Sequence, residues 1–180
     1  MYRCLICKSE NNPPTVEHII PRSLGNIHYI LKKGEVCEQC NRRFAKYEYN
    51  VLNSQPWLGE RKKYGLVRQD VIETSQEEPE NDLRRFLCKV FIESVYHSRP
   101  NEFDSLGLEL VRRELLGTSQ HTFTTFKNKA LSQSLPIPGW IDRFRLRRNH
   151  IELHYYQKDQ MVYFQLKFAQ ILRILSYNSS

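Results

Sequence analysis

Two Cys-x2-Cys pairs, Cys4/Cys7 and Cys37/Cys40, separated by 29 residues, constrain this chain more than any other feature. Each pair is a hook that holds two sulfurs on one tight turn, and four thiolates are the set that Zn2+ takes in a closed, structural, tetrahedral site. One metal on both hooks ties the ends of the intervening loop together. It then stands in for the hydrophobic core that a module of about 55 residues can barely assemble. The alternative is a redox or disulfide pair. Neither pair has thioredoxin-like strand and helix patterns around it, and Met1-Tyr2-Arg3-Cys4 opens no apolar leader, so the expected compartment is a reducing cytoplasm. The fifth cysteine, Cys88, sits between Leu87 and Phe91 and reads as a small buried hydrophobe.

Charge bears on the partner. Twenty-seven Lys and Arg against twenty Asp and Glu give a formal net charge of +7, which biases the partner list toward polyanions such as nucleic acid. No stretch approaches the roughly 18 consecutive apolar residues that a membrane span needs. At 180 residues the chain has room for one domain, or one domain with a small module attached. Segment by segment, residues 1–58 carry eight basic and five acidic groups, 59–80 four and six, and 81–180 fifteen and nine. The acidic middle ends in Glu73-Thr74-Ser75-Gln76-Glu77-Glu78-Pro79-Glu80, which has no apolar residue to bury, so 59–80 is expected to be a linker or exposed loop.

Beyond it, Leu83, Phe86, Leu87, Val90, Phe91 and Val95 recur at helical spacing and predict an amphipathic helix over about 82–96. Leu106, Leu110, Val111 and Leu115, with Gly117 as a stop, predict a second helix over about 104–116. Pro136 and Pro138 break the chain, after which Ile151, Leu153 and Tyr155 alternate, as do Val162, Phe164, Leu166 and Phe168. These two strands, joined through Gln157-Lys158-Asp159-Gln160, predict a hairpin. The run Arg143-Phe144-Arg145-Leu146-Arg147-Arg148 reads as a strand with Arg143, Arg145 and Arg147 on one exposed face. That face is either a phosphate-binding stripe or a charge-protected edge, which also leaves a homo-oligomer open.

The loop between the hooks holds Thr15-Val16-Glu17-His18-Ile19-Ile20-Pro21-Arg22-Ser23-Leu24-Gly25-Asn26. An acid and an imidazole precede a buried apolar pair, and Pro21 and Gly25 punctuate the chain as a turn does. The expectation is a short hairpin presenting Glu17 and His18, followed by a helix over about 42–52 with Asn41 as its N-cap. The hooks bring the helix start to the hairpin, so a carboxylate, an amide oxygen and an imidazole converge. Two oxygens suit a hard divalent ion, and an imidazole beside them suits proton abstraction from water.

The combination Cys-x2-Cys, Glu-His-Ile-Ile-Pro-x-Ser-Leu-Gly and Val-Cys-x2-Cys-Asn, over about residues 4–44, closely resembles the HNH endonuclease superfamily with its ββα-metal site. The resemblance implies a small zinc-stabilised ββα-metal module, and with the helices and β-hairpin that the apolar periodicity predicts beyond it the chain is expected to be α+β. It implies a nuclease in which His18 is the general base and Glu17 and Asn41 hold a catalytic divalent ion, Mg2+ or Mn2+. Cys4, Cys7, Cys37 and Cys40 would bind the structural zinc, and the cleaved ends would be 5′-phosphate and 3′-hydroxyl. Two departures stand out. Glu17 replaces the Asp that the family often carries, and the middle Asn, which in many members braces the hairpin some fifteen residues after the His, has only Asn26 as a candidate, with His28 nearby. Arg22, Arg42 and Arg43 are the candidate phosphate ligands around this site. The competing reading is a zinc-stabilised DNA- or RNA-binding module without catalysis.

Overall fold

The computed structural model describes residues 2–67, 71, 73–75, 77–101, 103, 108–119, 123–127 and 140–179. It is α+β, as expected. A two-stranded antiparallel hairpin, β1 (Pro14–His18) and β2 (Ile30–Cys37), leads directly into α1 (Glu38–Leu52). Then come α2 (Gln55–Lys63), the long α3 (Glu80–Ser98) and α4 (Glu109–Leu116). Strands β3 (Thr124–Phe126), β4 (Trp140–Arg145), β5 (His150–Lys158), β6 (Met161–Phe168) and β7 (Ile171–Asn178) make one antiparallel sheet in the order β3-β7-β6-β5-β4. Among the described residues, no helix is long and apolar enough to cross a membrane.

The cysteines explain where α1 starts. Cys37 ends β2 and Cys40 lies in the first turn of α1, because a spacing of three on a helix puts both sulfurs on one side. Cys4 Sγ accepts a hydrogen bond from the Cys37 backbone N–H at 3.4 Å, and Pro13 O takes the Glu38 N–H at 2.8 Å, so donors that a helix start leaves orphaned are satisfied. The helix therefore begins four residues earlier than expected, and Asn41 is not its N-cap. It sits inside the first turns with its side chain free to reach β1. The first hook is a tight turn closed by Lys8 N–H to Cys4 O at 3.0 Å, and Leu5 N–H to Glu35 O at 2.7 Å pins it to β2.

All four Sγ atoms lie within 4.8 Å of one another, and Cys7 and Cys37 Sγ are 3.7 Å apart. Four sulfurs at zinc-bonding distance in a tetrahedron stand about 3.8 Å apart, so the donor set fits the ion by kind and by size. The thiols are also mutually frustrated as acids. A hydrogen bond with Cys40 draws Cys4 down to about 4, while that same bond and burial push Cys40 far up. Cys4 ionises readily while Cys7 and Cys40 resist ionisation, a conflict that a dication resolves.

The C-terminal sheet is larger than the expected hairpin. The Val162–Phe168 strand pairs on one side with β5 and on the other with β7, whose residues Ile171–Tyr177 are all buried. With both faces covered, β7 shows no alternation to mark it as a strand. The turn between β5 and β6 is only Asp159-Gln160, since Gln157 and Lys158 still pair with Val162 and Met161. Strand β4 is an edge and ends at Arg145, so Arg147 and Arg148 lie in the turn beyond it. Helix α3 lies on this sheet with Phe91 stacked on Phe164 at 4.5 Å. The helix expected over 82–96 thus extends from 80 to 98, and Cys88 within it is wholly buried, as expected. The second helix is α4; its expected start at 104–107 and the break at Pro136 and Pro138 lie outside the described residues.

Residues 59–63, expected as the start of a linker, are instead the second half of α2, which buries Trp57, Leu58, Glu60 and Arg61. Trp57 meets Phe86 edge-on at 5.6 Å and stacks with Phe168 at 6.1 Å, which joins α2 to both α3 and the sheet. Glu78, in the acidic run expected to be exposed, is buried. It accepts from Trp57 Nε1 and from Arg173 Nε, the latter at 2.6 Å, and pairs with Lys127 at 3.2 Å. A carboxylate with that many donors tolerates burial. Apolar residues from Cys4 to Tyr177 form one continuous core.

Replacing Cys37 with Ser is expected to abolish stoichiometric zinc and unfold the N-terminal segment, because a four-thiolate site contributes much of such a module's folding free energy. Replacing Cys88 with Ser should keep the zinc and cost about 1–3 kcal/mol, the penalty of an unpartnered buried hydroxyl. Elemental analysis and thermal denaturation separate the two; no zinc in the wild type, or equal damage from both changes, would break this division of roles.

Candidate active site

Glu17 and His18 close strand β1, and what lies below them decides their geometry. The hairpin register slips between Thr15 and Glu17, where Thr15 faces Val36 but Glu17 faces Leu31. The extra residues of β2 form a bulge through Gly34, at φ +100°, over which Tyr2 packs so closely that a Cβ would lie 2.9 Å from its ring. A bulge re-aims the strand end. Here it buries Glu17 at 4% exposure and leaves His18 half-buried. Ile19 and Ile20 go fully into the core, as their apolar character requires.

Asn26 holds the loop that follows. Its Nδ2 donates to Ile20 O at 2.6 Å and to Tyr29 O at 2.9 Å, and its Oδ1 accepts from the backbone N–H of His28 at 3.0 Å and of Tyr29 at 2.9 Å. The amide therefore spends its donors and acceptor on backbone, bracing the hairpin end, and it does not line the site. Arg61 adds a second clamp, donating to Ser23 O at 3.0 Å and Leu52 O at 2.6 Å.

Glu17, His18, Arg22 and Asn41, with Val16, Pro21, Ser23 and Glu48, line one hollow of about 240 Å³. Asn41 donates through Nδ2 to Val16 O at 3.0 Å and to Thr15 Oγ1 at 3.3 Å, which turns the amide by its nitrogen toward β1. Glu17 Oε2 and His18 Nδ1 are buried with no hydrogen-bond partner among the described residues. Burial lowers the His18 imidazole below its ordinary value, helped by the nearby Arg22 charge and opposed by Glu17. The ring is thus neutral near pH 7 and able to accept a proton.

Lys89 of α3 was not singled out by sequence, and it organises this end of the hairpin. Its Nζ is wholly buried and lies 2.9 Å from Glu17 Oε1, 2.9 Å from Glu48 Oε1 and 3.1 Å from Glu93 Oε2. It also donates to His18 O and, at 3.2 Å, to Ile19 O. Burial by itself pulls the ammonium down, but the three carboxylates outweigh it and hold Lys89 well above its ordinary value. Burial pushes Glu93 well up and Glu48 up, with Lys89 opposing both. A signal was present in the sequence: Lys89 and Glu93 stand four apart on an otherwise apolar helix, a pair with reason to be buried together.

The arginines divide. Arg22 and Arg42 are exposed, and Arg42 pairs with Glu38 one turn earlier. Arg43 points to the C-terminus of α4 and donates to Leu116 O at 3.3 Å and Leu115 O at 3.5 Å, where it satisfies carbonyls that a helix end leaves open. Arg143, Arg145 and Arg147 are exposed while Phe144 and Leu146 between them are buried. With Arg148 and His150 they line a hollow of about 720 Å³, and Arg143 pairs with Glu152 at 3.2 Å. This stretch touches the loop after β1: Arg147 N–H donates to Gly25 O at 3.0 Å and Arg145 N–H to Tyr29 Oη at 2.9 Å.

Residues 4–51 match the HNH endonuclease family, a span that takes in both hooks, β1, β2 and nearly all of α1. No curated protein and no solved structure matches the chain. The four clustered thiols, the hairpin that carries Glu17 and His18, and the part of α1 that carries Asn41 all fall within this matched span, which makes residues 4–51 an HNH-type module.

Proposed function

We propose that this protein is a metal-dependent endonuclease that hydrolyses phosphodiester bonds of nucleic acid, with DNA as the substrate and His18 as the general base. The observation that carries the reading is the shared hollow lined by Glu17, His18 and Asn41, in which a carboxylate oxygen and a ring nitrogen are buried without partners. Buried polar atoms left in this state call for an explanation, and a bound ion or substrate supplies one. Glu17 and Asn41 offer the hard oxygens that hold Mg2+ or Mn2+. When bound, such an ion supplies Lewis acidity to the scissile phosphate and to the departing oxygen.

The chain's own groups do the rest. His18, neutral because it is partly desolvated and faces Arg22, takes the proton from the attacking water. Lys89 fixes the backbone on either side of the peptide between His18 and Ile19 by donating to both carbonyls, so the imidazole is carried on a rigid strand end. Arg22 and Arg42 flank the hollow with exposed charge, and the guanidiniums of Arg143, Arg145 and Arg147 extend it along the surface for phosphate contact. Arg43, engaged with α4, serves the packing of α1 in this reading. The proposed division of labour is that residues 1–58 cut and residues 81–180 hold the polyanion.

His18→Ala is expected to lower turnover by about 10²- to 10⁴-fold, the contribution of a general base. The fold and zinc should persist, because His18 Nδ1 makes no hydrogen bond to lose. Plasmid cleavage with Mg2+ or Mn2+ measures this, and a mutant with full activity would refute the role. Replacing Arg143, Arg145 and Arg147 together with Ala should weaken binding and make the slope of log K against log salt shallower by about two to three units, at roughly 0.7 to 0.9 per phosphate contact. Turnover at saturating substrate should be largely kept. Unchanged affinity and slope would make that stretch an edge-protecting surface and leave substrate binding to the N-terminal module.

A further inference from the structure

We propose that Glu48 is a further carboxylate of the divalent-cation site, an inference that rests on the reading of Glu17 and Asn41 given above. Glu48 lies seven residues after Asn41 on α1, close to two turns, so both residues are on one face of the helix. Both line the hollow that contains Glu17 and His18. Glu48 reaches it from the helix and Glu17 from the strand, and one ammonium fixes both, since each has Oε1 2.9 Å from Lys89 Nζ.

That ammonium is oversubscribed. Five oxygens surround it: two backbone carbonyls and one oxygen each from Glu17, Glu48 and Glu93. An ammonium has three N–H donors, and the carbonyls of His18 and Ile19 each accept a hydrogen bond from it. The carboxylates are left with a charge contact and too few donors. Glu17 Oε2, on a side chain 4% exposed and lining the hollow, has no hydrogen-bond partner among the described residues, while Glu48 Oε1 has the charge contact with Lys89 at 2.9 Å. Carboxylate oxygens buried in this state are costly unless positive charge completes them.

The third carboxylate marks the difference between scaffold and site. Glu93 contacts the same Nζ but is wholly buried and does not line the hollow. Of the three acids around Lys89, Glu17 and Glu48 line the hollow and Glu93 does not. Two carboxylates and one amide oxygen around a small hollow are hard donors suited to Mg2+ or Mn2+, with water filling the remaining positions.

The test is calorimetric titration of Mn2+ into the zinc-loaded full chain, with electron paramagnetic resonance of free Mn2+ as a second readout, so that binding is read apart from cleavage. The wild type should bind Mn2+, and Glu48→Gln should bind it about tenfold or more weakly. Glu93→Gln, which alters the same Lys89 cluster from inside the core, should bind as the wild type does. If Glu48→Gln keeps wild-type affinity while Glu17→Gln loses it, Glu48 is no part of the site and the proposed function stands. Equal weakening in Glu48→Gln and Glu93→Gln also overturns the inference, because the effect then runs through Lys89. A wild type that binds no Mn2+, or a Glu17→Gln protein that binds it undiminished, fails the proposed function itself and this inference with it. Zinc content and circular dichroism accompany each variant. Should Glu48→Gln lose its fold, Glu48→Asp keeps the charge and shortens its reach, and there too weaker Mn2+ binding supports the proposal and unchanged binding overturns it.

Discussion

One ammonium group, Lys89 Nζ, ties the strand that carries Glu17 and His18 to the helix at the centre of the rest of the chain. It is wholly buried, and it meets three carboxylates from β1, α1 and α3 as well as the carbonyls of His18 and Ile19. A buried cation of this kind adds little net stability over an apolar substitute, but removing it leaves several uncompensated acids behind. Its consequence here is positional. The hairpin end cannot shift without pulling carbonyls and a carboxylate away from a charge in a medium where that charge is poorly screened. Arg61 acts in the same sense on Ser23 O, so two buried cations outside the family-matched residues hold the backbone of the site.

The hooks set the other boundary. They fix β2 and the start of α1 to the first turn of the chain, and α4 reaches back to them through Arg112 Nε to Ile6 O at 3.2 Å. Hairpin and helix therefore meet at a fixed angle, which puts Asn41 over Val16 and Thr15 and Glu48 over the strand end. The small module that the zinc spacing implies is present, and it does not stand apart. It shares one apolar core with α3 and the sheet, and the arginine turn after β4 hydrogen-bonds to the loop braced by Asn26.

Local signals were legible and remote pairings were not. The cysteine spacing located the hooks, the apolar periodicity located α3, and the Glu-His-Ile-Ile-Pro run located the hairpin end. Asn41 reads as a cap because Asn after a turn usually is one; the helix already begins on the cysteine hook, and the Asn41 amide faces the strand instead. Glu78 and Glu60 read as solvent-exposed because nothing near them in sequence says otherwise. Arg173, 95 residues from Glu78, supplies the partner, and such a pairing leaves no trace in a local window. Strand β7 leaves no signal for the opposite reason, since a strand buried on both faces has no polar alternation to read. Lys89 was visible only as an oddity, a cation in an apolar helix, and its meaning needed the hairpin that it touches.

Chemical rescue reaches the site most directly. The His18→Ala protein keeps Glu17, Asn41 and the hollow of about 240 Å³ while losing only the ring, which leaves room for a free imidazole beside them. Free imidazole added to that protein with Mg2+ or Mn2+ is expected to restore cleavage of a DNA substrate in proportion to its unprotonated concentration, and to do nothing for Glu17→Ala. A folded, zinc-loaded His18→Ala protein that cleaves as well as the wild type without imidazole, or that regains nothing at any imidazole concentration, would contradict the assignment of His18 as the base.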